Sequence, residues 1–170
     1  MTAIAIHYQC LTAVQSRLRL INFPAAHDTG GGSDVPLAST SIVVWKTPLL
    51  FYRPDVPLPL PAIIVNDQTE EGNATAGVTN RDDWVRPVLV TMGMADNMEA
   101  TLQVNQDVMA MWRQLVSHAF HNQALAGVAG VWNCSVKPVR AFTPAAWGQQ
   151  VLASALSLRF ISREPRGLNQ

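Results

Sequence analysis

Charge is scarce in this sequence. Only 14% of its 170 residues are charged, and 12 basic residues are matched by 12 acidic ones. A nucleic-acid partner held mainly through phosphate contacts needs a concentrated basic surface, so no specific nucleic-acid binding is expected. Charge-poor surfaces tend to associate, which brings self-assembly in as an expectation. Cysteine is scarce too. Cys10 in "HYQCL" and Cys134 in "VWNCSV" are too few for a disulfide framework and read as buried free thiols on a helix face and a strand. A reducing cytoplasmic origin follows, in which the "NAT" and "NCS" triplets carry no meaning as sequons. No stretch approaches the roughly twenty apolar residues of a membrane span. The opening "MTAIAIHYQCLTAVQSRLRL" has neither a basic leader nor a long apolar run, so a soluble chain with no signal peptide and no membrane partner is expected.

Catalytic signatures are missing as well. The glycine triplet in "PAAHDTGGGSDVPLASTS" lacks the Lys-Ser/Thr of a phosphate-binding loop and the spacing of a dinucleotide fingerprint, so it reads as a flexible loop. No serine stands in a nucleophile elbow, and neither cysteine has the flanks of a thiol nucleophile. His118 and His121 lie one turn apart in "HAFHNQ" and could chelate a metal. They have no acidic or cysteine partner at ligand spacing, so they read as a solvated helix end suited to the helix dipole. His7 and His27 have no evident partners.

With 48% apolar residues, the chain suits a single globular domain over 1–170. Ile4, Leu11, Val14, Leu18 and Ile21 form one stripe of an amphipathic helix over about 3–21, which Pro24 stops. A flexible Gly/Pro-rich stretch covers about 24–61. Within it "SIVVWK" reads as a short strand, and prolines 48, 54, 57, 59 and 61 hold an extended edge crossing that feeds "PAIIVN". A ligand for a proline-binding module is the alternative there. A long polar loop or arm spans about 66–86, and "RPVLVTMG" follows as a strand.

"MEATLQV" alternates, with Met98, Ala100, Leu102 and Val104 on one side. We read it as part of a hairpin, with a helix from Asn97 onward as the competitor. Asn105 makes a sensible N-cap for a helix through about Gln123 whose apolar face is Val108, Met111, Trp112, Leu115, Val116, Ala119 and Phe120. "LAGVAG" ends it. The last third reads as a long hairpin. Trp132, Cys134 and Val136 share one face of its first strand, and Leu156, Leu158 and Phe160 share one face of its second. An α+β fold is expected, a mostly antiparallel sheet with two main helices packed on it.

The carboxylates gather in the polar stretch as Asp67, Glu70, Glu71, Asp82 and Asp83, at no calcium-loop spacing and offset by Arg81 and Arg86. They read as a solvated or partner-facing arm. Arg159, Arg163 and Arg166 cluster near the C-terminus; arginine, which outnumbers lysine ten to two, favours bidentate pairing across interfaces. The candidate interface is therefore Glu70, Glu71, Arg81, Asp82, Asp83, Arg86, Arg159, Arg163 and Arg166.

The order of a leading helix, the strand "LPAIIV", a polar excursion, "RPVLV", the helix "DVMAMWRQLVSHAF" and a closing hairpin ending "LSLRFISREP" resembles the tail terminator (tail completion) proteins of tailed bacteriophages. The resemblance runs from about residue 3 to 166 and is one of layout. It implies a compact α+β subunit of a ring, typically a hexamer, at the head-proximal end of the tail tube. Tail-tube and neck proteins would be its partners, with no catalytic residues, metal or cofactor. It would be made in the bacterial host cytoplasm and incorporated into the virion. Another neck, tail-tube or baseplate protein is the alternative within that class. A small metal-dependent hydrolase using His118, His121 and the acidic stretch is the alternative from another.

Overall fold

The computed structural model describes residues 6–27, 34–45, 58–68, 71–73, 81–95, 102–139 and 151–165. The elements are α1 (Ile6–Leu18), β1 (Ala26–His27), β2 (Asp34–Val35), β3 (Ile42–Trp45), β4 (Ala62–Asp67), β5 (Glu71–Asn73), β6 (Arg81–Ala95), α2 (Leu102–Phe120), β7 (Val131–Val139) and β8 (Val151–Pro165). Strands β3-β4-β6-β8-β7 lie side by side in that order, and β5 adds to β6 to make a six-stranded sheet. Every pairing in it is antiparallel except β3 with β4. The fold is α+β. Within the stretch expected to be flexible, β1 and β2 pair as a short ribbon and β3 joins the sheet. The strand that the prolines were expected to feed is β4, which sits between β3 and β6; residues 46–57 of the expected edge crossing lie outside the described set.

Alternation sets the core. Ile63 and Val65 on β4, Val88, Val90, Met92 and Met94 on β6, Leu156, Leu158 and Phe160 on β8, and Cys134 on β7 fall on one face by register. All are buried in one cluster with Cys10, Leu11, Val14 and Leu18 of α1 and Met109, Trp112, Val116 and Phe120 of α2. Each such side chain contributes about 1.5–3 kcal/mol when fully buried, so this layer is the main source of stability. Phe120 meets Phe160 edge-on at 6.2 Å between ring centres. Trp112 packs against Phe23 at 5.0 Å and donates its indole N–H to the Pro24 carbonyl at 2.8 Å.

Several features depart from the expectations above. Helix α1 stops at Leu18 rather than near 21: Leu20 and Ile21 donate to Arg17 and Leu18 in a tighter closing turn, leaving Leu20 86% exposed. Helix α2 already includes Leu102, Gln103 and Val104, so the hairpin reading of this segment fails. The strong helix propensity of Leu and Gln prevails over an alternation only a few residues long, and residues 98–101 lie outside the described set.

Asn105 is consequently not an N-cap. It is 1% exposed within the first turn of α2, where its Oδ1 accepts the His27 N–H at 2.9 Å. Its Nδ2 donates to the carbonyls of His27 at 3.2 Å and Ala95 at 2.9 Å. One amide thus ties β1 and the end of β6 to α2. Finally, Trp132 does not face inward with Cys134. A β-bulge between Val131 and Asn133 sets two steps of β7 against one of β8, so Val131 takes the inner position and Trp132 is 51% exposed.

The end of α2 is fixed to the sheet. Asn122 adopts a left-handed conformation (φ 56°), and its N–H is bonded to the Cys134 carbonyl at 2.8 Å. "LAGVAG" is the following pair of turns rather than the helix stop. Gly130, at φ 85°, packs so close to β8 that a Cβ there would lie 3.2 Å from the Arg163 carbonyl.

Candidate interaction surface

Strands β6 and β8 pair from Ala95 opposite Val151 to Arg81 opposite Pro165. At 3.4 Å per residue, 15-residue strands make a ladder of about 50 Å. Within the polar stretch expected as a loop or arm, residues 81–86 open β6, and Glu71–Asn73 pair with Val85–Asp83 as β5; residues 69–70 and 74–80 are outside the described set. At this end of the ladder the buried layer runs through Arg86 on β6 and Ser162 on β8, with Val131 of β7 opposite Ser162 in the apolar cluster. Only the last positions of the paired strands, from Asp83 and Arg163 on, lie past it.

The candidate residues distribute unevenly along that ladder. Glu70 and Arg166 lie outside the described residues. Register sets Glu71 opposite Val85, Arg81 opposite Pro165 and Asp82 opposite Glu164. Asp83 lies opposite Arg163, and the two form a bidentate pair, Nε to Oδ1 at 2.8 Å and Nη2 to Oδ2 at 3.1 Å. This pairing joins residues 80 positions apart that the sequence suggested only individually. Arg159, half-buried, lies between Pro87 and Ser135 across the two ladders. Arg86 is no surface residue: it is 6% exposed, opposite Phe160, with its guanidinium 5.6 Å from the Trp84 ring centre.

The hydrogen bonds from Arg163, supported by its charge, hold the Asp83 carboxyl below its ordinary value of 3.8. A carboxyl lowered in the folded state stabilises above its unfolded value, and that contribution fades as pH falls through the lowered one. Both side chains are solvent-accessible, at 51% for Arg163 and 32% for Asp83, so the pair orders the end of the ladder more than it stabilises the domain.

Trp132, which alternation had set on one face with Cys134 and Val136, completes the surface. The Arg163 guanidinium carbon lies 5.9 Å from its ring centre, so one arginine is held by a carboxylate and faces an exposed indole. Only the bulge reveals this, and no local pattern in "GVWNCSV" marks it.

The remaining chemical candidates resolve differently. His118 lies exposed in the last turn of α2, and His121 just beyond the helix. Among the described residues no three His, Cys, Asp or Glu side chains come close enough to share a metal ion. His7 and His27, expected to stand alone, face Asp67 at 3.8 Å and Asp34 at 3.2 Å. Both cysteines are buried and unbonded to each other, and burial pushes the Cys134 thiol up to about 12, so it carries no thiolate at neutral pH. An open groove between α2 and β8 is lined by Met109, Arg113, Leu152 and Ser154, with Arg113 Nη1 donating to Ser154 Oγ at 2.9 Å. No helix among the described residues is long and apolar enough to cross a membrane. No protein-family model matches the chain, and no curated protein matches it.

Proposed function

We propose that this chain is a structural subunit of a ring that closes the tail tube of a bacteriophage and joins it to the head or neck, a tail terminator. The reading is carried by the exposed cluster of Trp132, Arg163 and Asp83 at the end of the β6–β8 ladder. An exposed cluster of aromatic and arginine side chains suits contact with another polypeptide, because such side chains bury large area with little loss of conformational freedom. The layout of helix, strands, helix and closing hairpin supports the same reading through its likeness to the tail terminator family. Copies arranged head to tail around a ring would use different surfaces of each subunit, and the two ring faces would then meet tube and neck.

The cluster gives the test. Replacing Trp132 and Arg163 together with serine removes the exposed indole and the cation beside it and leaves the apolar cluster untouched. The melting temperature is expected to fall by less than about 5 °C, the effect of roughly 1–2 kcal/mol in a chain of this size. Joining of purified tails to heads is expected to fall at least about tenfold, a loss of roughly 1.4 kcal/mol in binding. Joining at the unmodified level would refute the role given to the cluster.

A further inference from the structure

Away from the sheet, helix α2 exposes Gln106, Asp107, Ala110, Met111 and Gln114. Exposed helix positions are ordinarily where charge collects. Of the 19 residues of α2 only Asp107 and Arg113 are charged, counting histidine as neutral. Met111, which the apolar repeat of the helix includes, is 50% exposed. Little charge around an exposed methionine is the composition of a contact surface rather than of a solvated one.

The two charges are placed symmetrically. Asp107 lies three residues before Ala110 and Arg113 three after it (110 − 107 = 113 − 110 = 3), while Gln106 and Gln114 lie four before and four after. On a helix, Asp107 and Arg113 therefore flank Ala110 by about 60° to either side and about 4.5 Å to either end. Six residues apart, they cannot pair with each other as residues three or four apart do. Neither pairs with an opposite charge among the described residues. Arg113 is half-buried at the rim of the groove beside β8, where its 2.9 Å bond to Ser154 Oγ fixes its direction.

We propose that two copies of this chain pair through α2, antiparallel and two-fold about Ala110. That axis sets Asp107 of each copy against Arg113 of the other, and Gln106 against Gln114. Each charge thus finds the partner that its own helix denies it, and both ion pairs form at once. Ala110 at the crossing lets the helices approach to the short end of the roughly 8–10 Å interaxial range. Met111 of both copies falls on one side of the axis and covers the contact there. A shift of one turn, about 5.4 Å, draws both ion pairs apart, so the charges also set the register. One helix pair buries less than the roughly 1,600 Å² of a standard interface, so a dissociation constant of about 10–100 μM is expected. The contact closes at two copies. It is therefore separate from the head-to-tail contacts of the ring, and neither depends on the other.

The test reads this contact alone. Ala110→Cys in the full chain puts one exposed thiol on the axis, since Cys10 and Cys134 are buried. In the pair the two thiols face each other within disulfide reach. At about 100 μM chain in oxidised glutathione, covalent dimers are expected at least about tenfold faster than from Lys137→Cys, an exposed position on β7. Adding Asp107→Arg sets a cation against Arg113 of the second copy, and adding Arg113→Glu sets two carboxylates together. Each is expected to slow cross-linking at least about tenfold. The double swap, or an equimolar mixture of the two single-swap chains, should restore the rate to within about threefold, because opposite charges meet again at both sites. Each variant is first checked for a wild-type circular dichroism melt. If Arg113→Glu alters it through Ser154, Arg113→Gln takes its place, and its mixture with Asp107→Arg keeps one of the two ion pairs and should cross-link at an intermediate rate.

Cross-linking at position 110 no faster than at 137 would overturn the pairing. So would single swaps that leave the rate unchanged, or a double swap and a mixture that both stay slow. Single swaps that impair tail joining while thiols at 110 fail to meet would assign this face to a different polypeptide and remove the second copy as its occupant. Rings on tube ends without cross-linking would sink this contact alone. Cross-linked pairs whose protein ignores tube ends would keep the contact and sink the tail-closing role.

Discussion

Trp112→Ala is expected to lower stability by about 4 kcal/mol, the middle of the range for deleting a fully buried tryptophan. Trp112 is 0% exposed at the centre of α2, and the helix reaches the sheet through it, Val116 and Phe120. Removing the indole opens a cavity beside Phe23 and also leaves the Pro24 carbonyl without its 2.8 Å donor. Total stabilities of about 5–15 kcal/mol make this a large fraction. At roughly 2–4 °C per kcal/mol for a chain of this length, the melting temperature should fall by about 8–16 °C. Trp112→Phe separates the two contributions. It fills most of the space but cannot donate to Pro24, so a loss of about 1–3 kcal/mol is expected from the unmet carbonyl and the smaller ring. Urea unfolding of both variants measures the difference. Equal losses would mean that the hydrogen bond, and not the packing, dominates.

The second large effect is expected at Asn105, from a change that barely alters shape. In Asn105→Asp the acceptor toward the His27 N–H is retained, but the donor toward the carbonyls of His27 and Ala95 becomes an oxygen. At neutral pH an anion would face two carbonyl oxygens at a site 1% exposed, a cost of about 3 kcal/mol or more. The new carboxyl escapes by protonation, so its folded-state pKa is raised above the unfolded value near 3.9. Its contribution is then fully present below about pH 4 and is lost as pH rises through the raised value. The stability gap between variant and wild type should accordingly be smallest near pH 4 and widest near pH 7. Thermal melts across that range check it, and a gap independent of pH would show that the site is more hydrated than its burial indicates.

Both residues show where the sequence was readable. Trp112 announced itself through the 3.6-residue repeat of α2, and Leu156, Leu158 and Phe160 through the two-residue repeat of β8, because those patterns follow from the period of the backbone. Asn105 was visible as a helix-initiating residue, yet its role depends on His27 and Ala95, 78 and 10 positions away. "RDDW" reads as loop on propensity, since Asp disfavours strands; pairing with Ser162–Pro165 makes it strand.

The candidate surface was legible as individual charges. Asp83 and Arg163 were both singled out, but their pairing needs the β6–β8 register. Arg86 was grouped with the interface because it offsets the carboxylates of the polar stretch, whereas its strand turns it into the end of the core. Trp132 was set on one face with Cys134 and Val136 because alternation holds until a bulge interrupts it, and one extra residue reverses which face a side chain occupies.

The central proposal is that copies of this chain close into a ring on the end of a tail tube. Electron microscopy of purified protein mixed with uncapped tail tubes tests it most directly. The expected images show a ring with a central opening, and the same density on one end of each tube. Tubes left bare at both ends, or protein spread along their length, would contradict it.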